Sequence, residues 1–439
     1  MSHPTYKAYS LSNMKEIPQI RQFTDEQKFE MEVVGHVFPF KTNNYVVDQL
    51  INWEDVPNDP IFQLTFPQKG MLKNHHFERM SKVLRAQHTR SDIQKVANTT
   101  RWNLNPHPAG QTEYNRPMLN GVQLDGLQHK YRKTVLAFPS KGQTCHAYCT
   151  FCFRWPQFVG INELKFAMQE TKPLIEYIRQ HPEISDVLFT GGDPLIMNAS
   201  SLAVYVNELL EANLPHLKTI RLGTKSLSFW PYRFLTDPDT RELLDLFKKI
   251  VKSGKHLALM AHFNHPRELQ TEAVQEAIRR IQETGALIRT QSPLLNYINN
   301  RAEVWAEMWT EQVRLGCIPY YMFVVRDTGA QHHFGIPLIE ALSIFKMAYQ
   351  QVSGLARTVR GPSMSTTPGK IHLLGVQEIK GEKVFVMQFI QARNPTWTMH
   401  PFFAQYNDKA NWLDGLSPAF GAKHFFFEDS SSKKSWDDL

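Results

Sequence analysis

The sequence predicts an α/β protein: a parallel sheet wound as a barrel or partial barrel of six βα units, flanked by N- and C-terminal extensions. Three observations carry that reading. From residue 134 onward, short apolar runs rich in β-branched and aromatic residues alternate with longer amphipathic segments. Several of those amphipathic segments close on glycine, a helix stop. Residues 1–125 show neither feature.

In chain order, residues 1–125 are rich in Pro, His, Asn and Gln. They contain helical pieces such as HHFERMSKVLRAQ (75–87) and form a mostly helical N-terminal extension. Residues 126–345 hold the barrel, with strands expected at TVLAF (134–138), DVLFT (186–190), TIRLG (219–223), HLALMAHF (256–263), ALIRTQ (286–291) and IPYYMFV (318–324). Between them the spacing predicts helices at 162–181, 199–214, 240–254, 271–285 and 302–316. Strands alternating with helices imply a parallel sheet, with ligands gathered at the C-terminal strand ends. Residues 346–439 form a C-terminal segment with GPSMSTTPGKIHLLG, a hairpin at VQEIKGEKVFVMQFI (376–390) and a polar tail, EDSSSKKSWDDL, expected to fray.

Apolar residues make up 42% of the 439, enough for a large core. The formal charge is +7, but Lys and Arg are interleaved with Asp and Glu. That excludes a basic stripe for nucleic acid and leaves anionic small molecules as natural ligands. No run approaches the ~20 apolar residues of a membrane span. The opening MSHPTYKAYSLSNMKEIPQI has neither a signal-peptide core nor an Arg-rich amphipathic pattern. A soluble, cytoplasmic protein with no membrane partner is expected.

Four cysteines in so long a chain do not make a disulfide framework. Three of them, Cys145, Cys149 and Cys152, fall in GQTCHAYCTFCFRWPQF directly after the first barrel strand; Cys317 stands alone. The spacing is C-x3-C-x2-C. Thiolates select zinc or iron–sulfur clusters. A structural zinc wants four ligands, usually in two pairs, and His146 beside Cys145 would be strained as the fourth. Three thiolates on a four-iron cube leave one iron open to a ligand. A zinc knuckle completed by a histidine, or three core cysteines, are the alternatives. One βα unit later comes LFTGGDPLIM, where Gly191 and Gly192 let backbone amides approach a ligand and Asp193 adds an acceptor.

Together these two motifs resemble the radical S-adenosylmethionine (SAM) superfamily. The resemblance implies a radical SAM partial (β/α)6 barrel and a [4Fe-4S] cluster on the three cysteines. Its open iron would chelate SAM, and reduction would release a 5'-deoxyadenosyl radical. It also places Phe151 near the adenine and the Gly191–Gly192–Asp193 turn at the SAM amino group. The segments VPNDPIFQLTFPQ, GLQHKY, TGGDPL, AHFNHPREL and QSPLLNYIN, in that order, are similar to the lysine 2,3-aminomutase family over residues 45–395. That family is expected to use pyridoxal phosphate (PLP), and to move an amino group from Cα to Cβ of an amino acid joined to PLP as an imine. An alternative is a radical SAM enzyme without PLP, doing another hydrogen abstraction on an amino-acid-like substrate.

Residue by residue, the resemblance makes Lys370 in TTPGK the imine-forming lysine, although Ser and Thr replace most of the family's glycines before it. Arg154 becomes the clamp on the substrate carboxylate, Gln291 a PLP contact and His262 a SAM contact. Lys130 stands where the family has an arginine, and Thr134 where it has another. Lysine-specific members read the substrate ammonium with two aspartates; here the positions fall to Asp327 and Ser363, with Arg326 and Arg360 close by. One carboxylate lost and cations gained argue against plain α-lysine. An external electron donor of the flavodoxin or ferredoxin type is implied, and a homo-oligomer stays open.

Overall fold

The computed structural model describes residues 4–105, 115–161 and 166–428; residues 429–439, the polar tail, lie outside them. Its main sheet has eleven strands, ordered across the sheet as they occur in the chain. Six match the apolar runs: β1 (Thr134–Ala137), β2 (Asp186–Phe189), β3 (Thr219–Thr224), β4 (His256–His262), β5 (Leu287–Leu294) and β6 (Ile318–Val324). Each runs parallel to the next. The sheet is open, because its first and last strands are edges, so the six units form a partial barrel.

Side-chain alternation explains what faces inward. In β3, Ile220, Leu222 and Thr224 are buried under the helical layer while Arg221 and Gly223 point the other way. β4 is buried over most of its length, as a parallel strand covered on both faces should be. Helices at Ala199–Glu211, Thr240–Lys252, Glu272–Gln282 and Ala302–Arg314 return the chain between strands. Gly285 and Gly316 follow two of them with φ of 87° and 74°, the left-handed stop that glycine adopts without a Cβ clash.

Two elements differ from expectation. The first crossover helix covers Lys172–Gln180 rather than 162–181, and residues 162–165 lie outside those described. Pro173 sits in its first turn, where its missing N–H does no harm. Upstream, Met168 is held by the chain after β1: its N–H donates to Phe138 O at 2.7 Å and its O accepts from Ser140 N at 3.0 Å. Strand-like pairing therefore wins over helix there. The parallel sheet also continues one strand further, because β7 (Arg360–Ser365) pairs parallel with β6. Three antiparallel strands then complete it: β8 (Gly369–Ile379), β9 (Glu382–Ala392) and β10 (Pro401–Gln405).

Those last strands shelter a second core that includes Phe389, Trp397, Phe402 and Phe427. Helix Leu338–Gln350 spans the expected division at residue 345, and its Leu338 and Leu342 already belong to that core. The N-terminal extension contributes helices at Asp25–Val37, Asn74–Arg85 and Arg90–Leu104. The first starts on a Thr24/Gln27 capping box. No helix among the described residues is long and apolar enough to cross a membrane.

Candidate active site at the strand ends

The loop leaving β1 carries Cys145, Cys149 and Cys152, and the N-terminal extension holds it. Lys41 Nζ donates to Cys145 O at 2.7 Å, Tyr148 N donates to Lys41 O at 2.7 Å, and Thr150 N donates to Leu64 O at 3.0 Å. The thiols are close enough to perturb one another. Burial, then Asp193 and the other two thiols, push Cys145 well up, and burial pushes Cys152 up to about 11. Left alone they stay protonated; bound iron would make them thiolates. His146 belongs to the packing instead. Its Nδ1 lies 3.0 Å from Ser226 Oγ, and burial pulls its pKa down to about 3. Among the described residues no three His, Cys, Asp or Glu side chains, these thiols included, converge on a single metal ion. The donor chemistry, three soft thiols without a fourth ligand, fits an iron–sulfur cube with one open iron.

The Gly-Gly-Asp turn after β2 is built into the same loop. A Cβ on Gly191 would sit 2.2 Å from Gln143 Nε2, and one on Gly192 would sit 2.3 Å from Thr144 O. Asp193 N donates to Gly142 O and Thr144 O at 3.0 and 2.8 Å. The glycines are thus required by the approach of the two motifs to each other. Asp193 departs from its expected part as a ligand acceptor. Its carboxylate accepts from Leu195 N, Lys225 N, Thr224 Oγ1 and Ser226 Oγ, all at 2.8–3.0 Å, so its lone pairs are spent inside the protein. It ties the β2 turn to the end of β3.

Beside the cysteine loop, the strand ends enclose a cavity of about 290 Å³ lined by Phe151, His262, Gln291, Arg326 and Lys370 among others. His262 and Gln291 are register partners on β4 and β5. Burial keeps His262 neutral, its Nε2 is buried without a partner, and its ring meets Phe151 edge-on at 5.8 Å. Lys370 is half-buried, with Nζ 4.0 Å from the Tyr321 ring centroid and 3.3 Å from Gln391 Oε1. Burial, with Arg221 and Arg360 nearby, lowers its pKa to about 7, so the amine is half neutral at neutral pH. The Tyr321 hydroxyl is also buried without a partner. A nucleophilic amine and unpaired polar atoms in one largely aromatic chamber fit a PLP-sized aromatic phosphate.

No protein-family model matches the chain. A putative L-lysine 2,3-aminomutase of Aquifex aeolicus is 33% identical over 395 residues, which is 90% of this chain and 92% of that protein. The chain belongs to the lysine 2,3-aminomutase family. L-lysine 2,3-aminomutase of Clostridium subterminale is 30% identical over 229 residues, 52% of this chain and 51% of that one. Glutamate 2,3-aminomutase of Clostridioides difficile is 31% identical over 212 residues, 48% and 47% of the two chains. Membership makes the protein a radical SAM enzyme of the aminomutase type and implies a [4Fe-4S] cluster and SAM.

Within this aminomutase-type chain, other expected residues lie around the cavity rather than on it. Arg154 sits behind Phe153, its guanidinium 5.3 Å from that ring and 4.1 Å from Phe138; its Nη1 is buried and unpaired, and burial lowers its pKa to about 9. Lys130 donates to Thr366 O in the turn before Lys370. Ser363 is buried in β7, its hydroxyl 3.5 Å from Arg360 O. Asp327 does not line the cavity; it is ion-paired to Arg326, which does.

Two cations were missed by the sequence reading. Arg221 lines the cavity, bonding Asp186 through Nε at 2.8 Å and Thr134 Oγ1 through Nη2 at 3.3 Å. A guanidinium from β3 therefore reaches the position where Thr134 replaces the expected arginine. Its signal was an arginine in the middle of an apolar strand, on the inward parity. Arg393 donates to Thr367 O at 2.9 Å and, with Lys130, grips the turn that replaces the family's glycine run.

Proposed function

We propose that this enzyme is a PLP-dependent radical aminomutase that moves an amino group from Cα to Cβ of an amino acid other than plain α-lysine. The observation that carries this is the placing of Lys370 in the same cavity as His262 and Phe151, beside the three-cysteine loop. When bound, the cluster and SAM supply a carbon radical that takes a hydrogen atom, and PLP supplies a covalent anchor for the migrating nitrogen.

The protein's own residues do the rest. Cys145, Cys149 and Cys152 hold the cluster, and the Gly191–Gly192 turn, fixed by Asp193, presents backbone to the SAM amino group. Phe151 and neutral His262 border the adenosyl side. Lys370 offers a neutral amine near pH 7. Gln291, Arg221 and Thr134 line the cavity where PLP would lie, and Arg221 supplies the cation that Thr134 lacks. Lys130 steadies the turn before Lys370. Arg154, whose buried Nη1 has no partner, would clamp the substrate carboxylate once the Phe153 ring in front of it moves aside. The aromatic walls exclude water from the radical path. Cys317 is buried alone with its pKa pushed up to about 12, which leaves no thiol set for a second cluster; the electron comes from an external flavodoxin- or ferredoxin-type donor.

The test is to incubate anaerobically reconstituted protein with PLP, reduce with borohydride and map peptides by mass. A pyridoxyl group on Lys370 supports the reading. SAM cleavage with no labelled lysine defeats its PLP half and leaves another radical SAM reaction.

A further inference from the structure

We propose that the substrate is an amino acid whose side chain ends in a carboxylate, and that Arg326 reads that carboxylate. The proposal deepens the aminomutase reading and rests on it.

The first support is the charge of the chamber. Its permanently charged lining residues are Arg221 and Arg326, joined by the half-neutral Lys370; none of the lining residues is acidic. The two carboxylates near it are already used. Asp186 pairs with Arg221 at 2.8 Å, and Asp327 pairs with Arg326 at 3.4 Å. Arg360 adds positive charge behind the wall, close enough to lower the pKa of Lys370. A substrate ammonium placed here would lose its water and meet only cations, a penalty with nothing to offset it.

The second support is what each cation is free to do. Lys130 is bound to Thr366 O, and Arg221 is divided between Asp186 and Thr134. Arg326 makes one hydrogen bond among the described residues, the long contact from Nε to Asp327. Its guanidinium is instead braced by rings, 5.4 Å from the centroid of Phe153 and 5.8 Å from that of Trp412. Such bracing fixes a planar fork while leaving its terminal N–H groups for a ligand.

The third support is the pairing of guanidiniums. Arg154 and Arg326 both pack on Phe153, at 5.3 and 5.4 Å, and repel each other. Arg154 is buried off the cavity and adds its charge from behind the ring, while the half-buried Arg326 is the guanidinium on the cavity wall that can meet a carboxylate. An amino acid with an acidic side chain answers that placing.

The experiment uses the reconstituted, PLP-loaded holoprotein. Calorimetry without reductant compares L-glutamate and L-aspartate with L-lysine, L-leucine and L-tyrosine; turnover with reductant and SAM is then followed by chromatography of β-amino products. One of the two acidic amino acids should bind on the order of 10- to 100-fold more tightly than lysine. Arg326→Gln should erase that preference chiefly through KM, and Arg326→Lys should restore most of it. Preference for lysine, or for leucine or tyrosine, overturns the proposal. So does an acid preference that Arg326→Gln leaves intact in a folded, iron-loaded protein. Borohydride labelling of Lys370 on the same sample separates the two readings: an unlabelled lysine defeats the PLP reading, while the ranking of amino acids still decides this one.

Discussion

A neutral Lys370 makes the rate of PLP capture a pH titration of one amine. Its pKa falls from 10.5 to about 7, mainly by burial and then by Arg221 and Arg360. A shift of that size is roughly 5 kcal/mol of preference for the neutral form. At pH 7 about half of the amine is a free nucleophile, against roughly one part in 3,000 for a lysine in water. Protein lacking PLP is mixed with it at a series of values between about pH 6 and pH 10, quenched with borohydride and mapped for pyridoxyl-Lys370. Because the group is protonated below its pKa, the trapping rate should rise about tenfold per unit below pH 7 and level off above it. A rate that keeps climbing to about pH 10 would refute the burial argument, since the amine would then be titrating as an ordinary solvated lysine.

Arg360→Leu removes one of the cations acting on Lys370, so the break in that profile should move to higher pH, read by the same trapping series. Gly192→Ala puts a methyl group 2.3 Å from Thr144 O; it should destabilise the fold by about 1–3 kcal/mol and lower the iron bound per chain after reconstitution, measured by iron assay. Glu268→Gln breaks the 2.6 Å pair with Lys225, both side chains buried, and leaves a charge uncompensated between the ends of β3 and β4. A loss of about 3–5 kcal/mol is expected in chemical denaturation. Replacing any one of Cys145, Cys149 or Cys152 by Ala should abolish the cluster's visible absorbance, whereas Cys317→Ala should leave it unchanged.

The barrel was legible because parallel strands buried on both faces read as apolar runs, and the helices between them end on glycine. The cysteine spacing was legible for a different reason: the soft donors crowd into eight residues on one loop. What local pattern could not carry was pairing across the chain. The 162–181 segment has helical periodicity, yet Met168 is claimed by Phe138 and Ser140. Asp193 looks like a ligand acceptor until four donors from two loops are found on it. Asp327 and Arg326 are adjacent just beyond β6, where strand alternation no longer dictates which one faces inward; the structure turns Arg326 to the cavity and makes Asp327 its partner. Arg221 passed for a strand residue, although inward parity inside an apolar run was a readable sign.

The most direct test of the central claim is product analysis under single-variable control. The reconstituted enzyme is given reductant, SAM and a mixture of amino acids, with and without PLP, and β-amino isomers are sought by chromatography and mass spectrometry. The account predicts one β-amino isomer, formed only with PLP and lost in Lys370→Ala. Formation of 5'-deoxyadenosine with no isomer, or turnover indifferent to PLP and to Lys370, would contradict it.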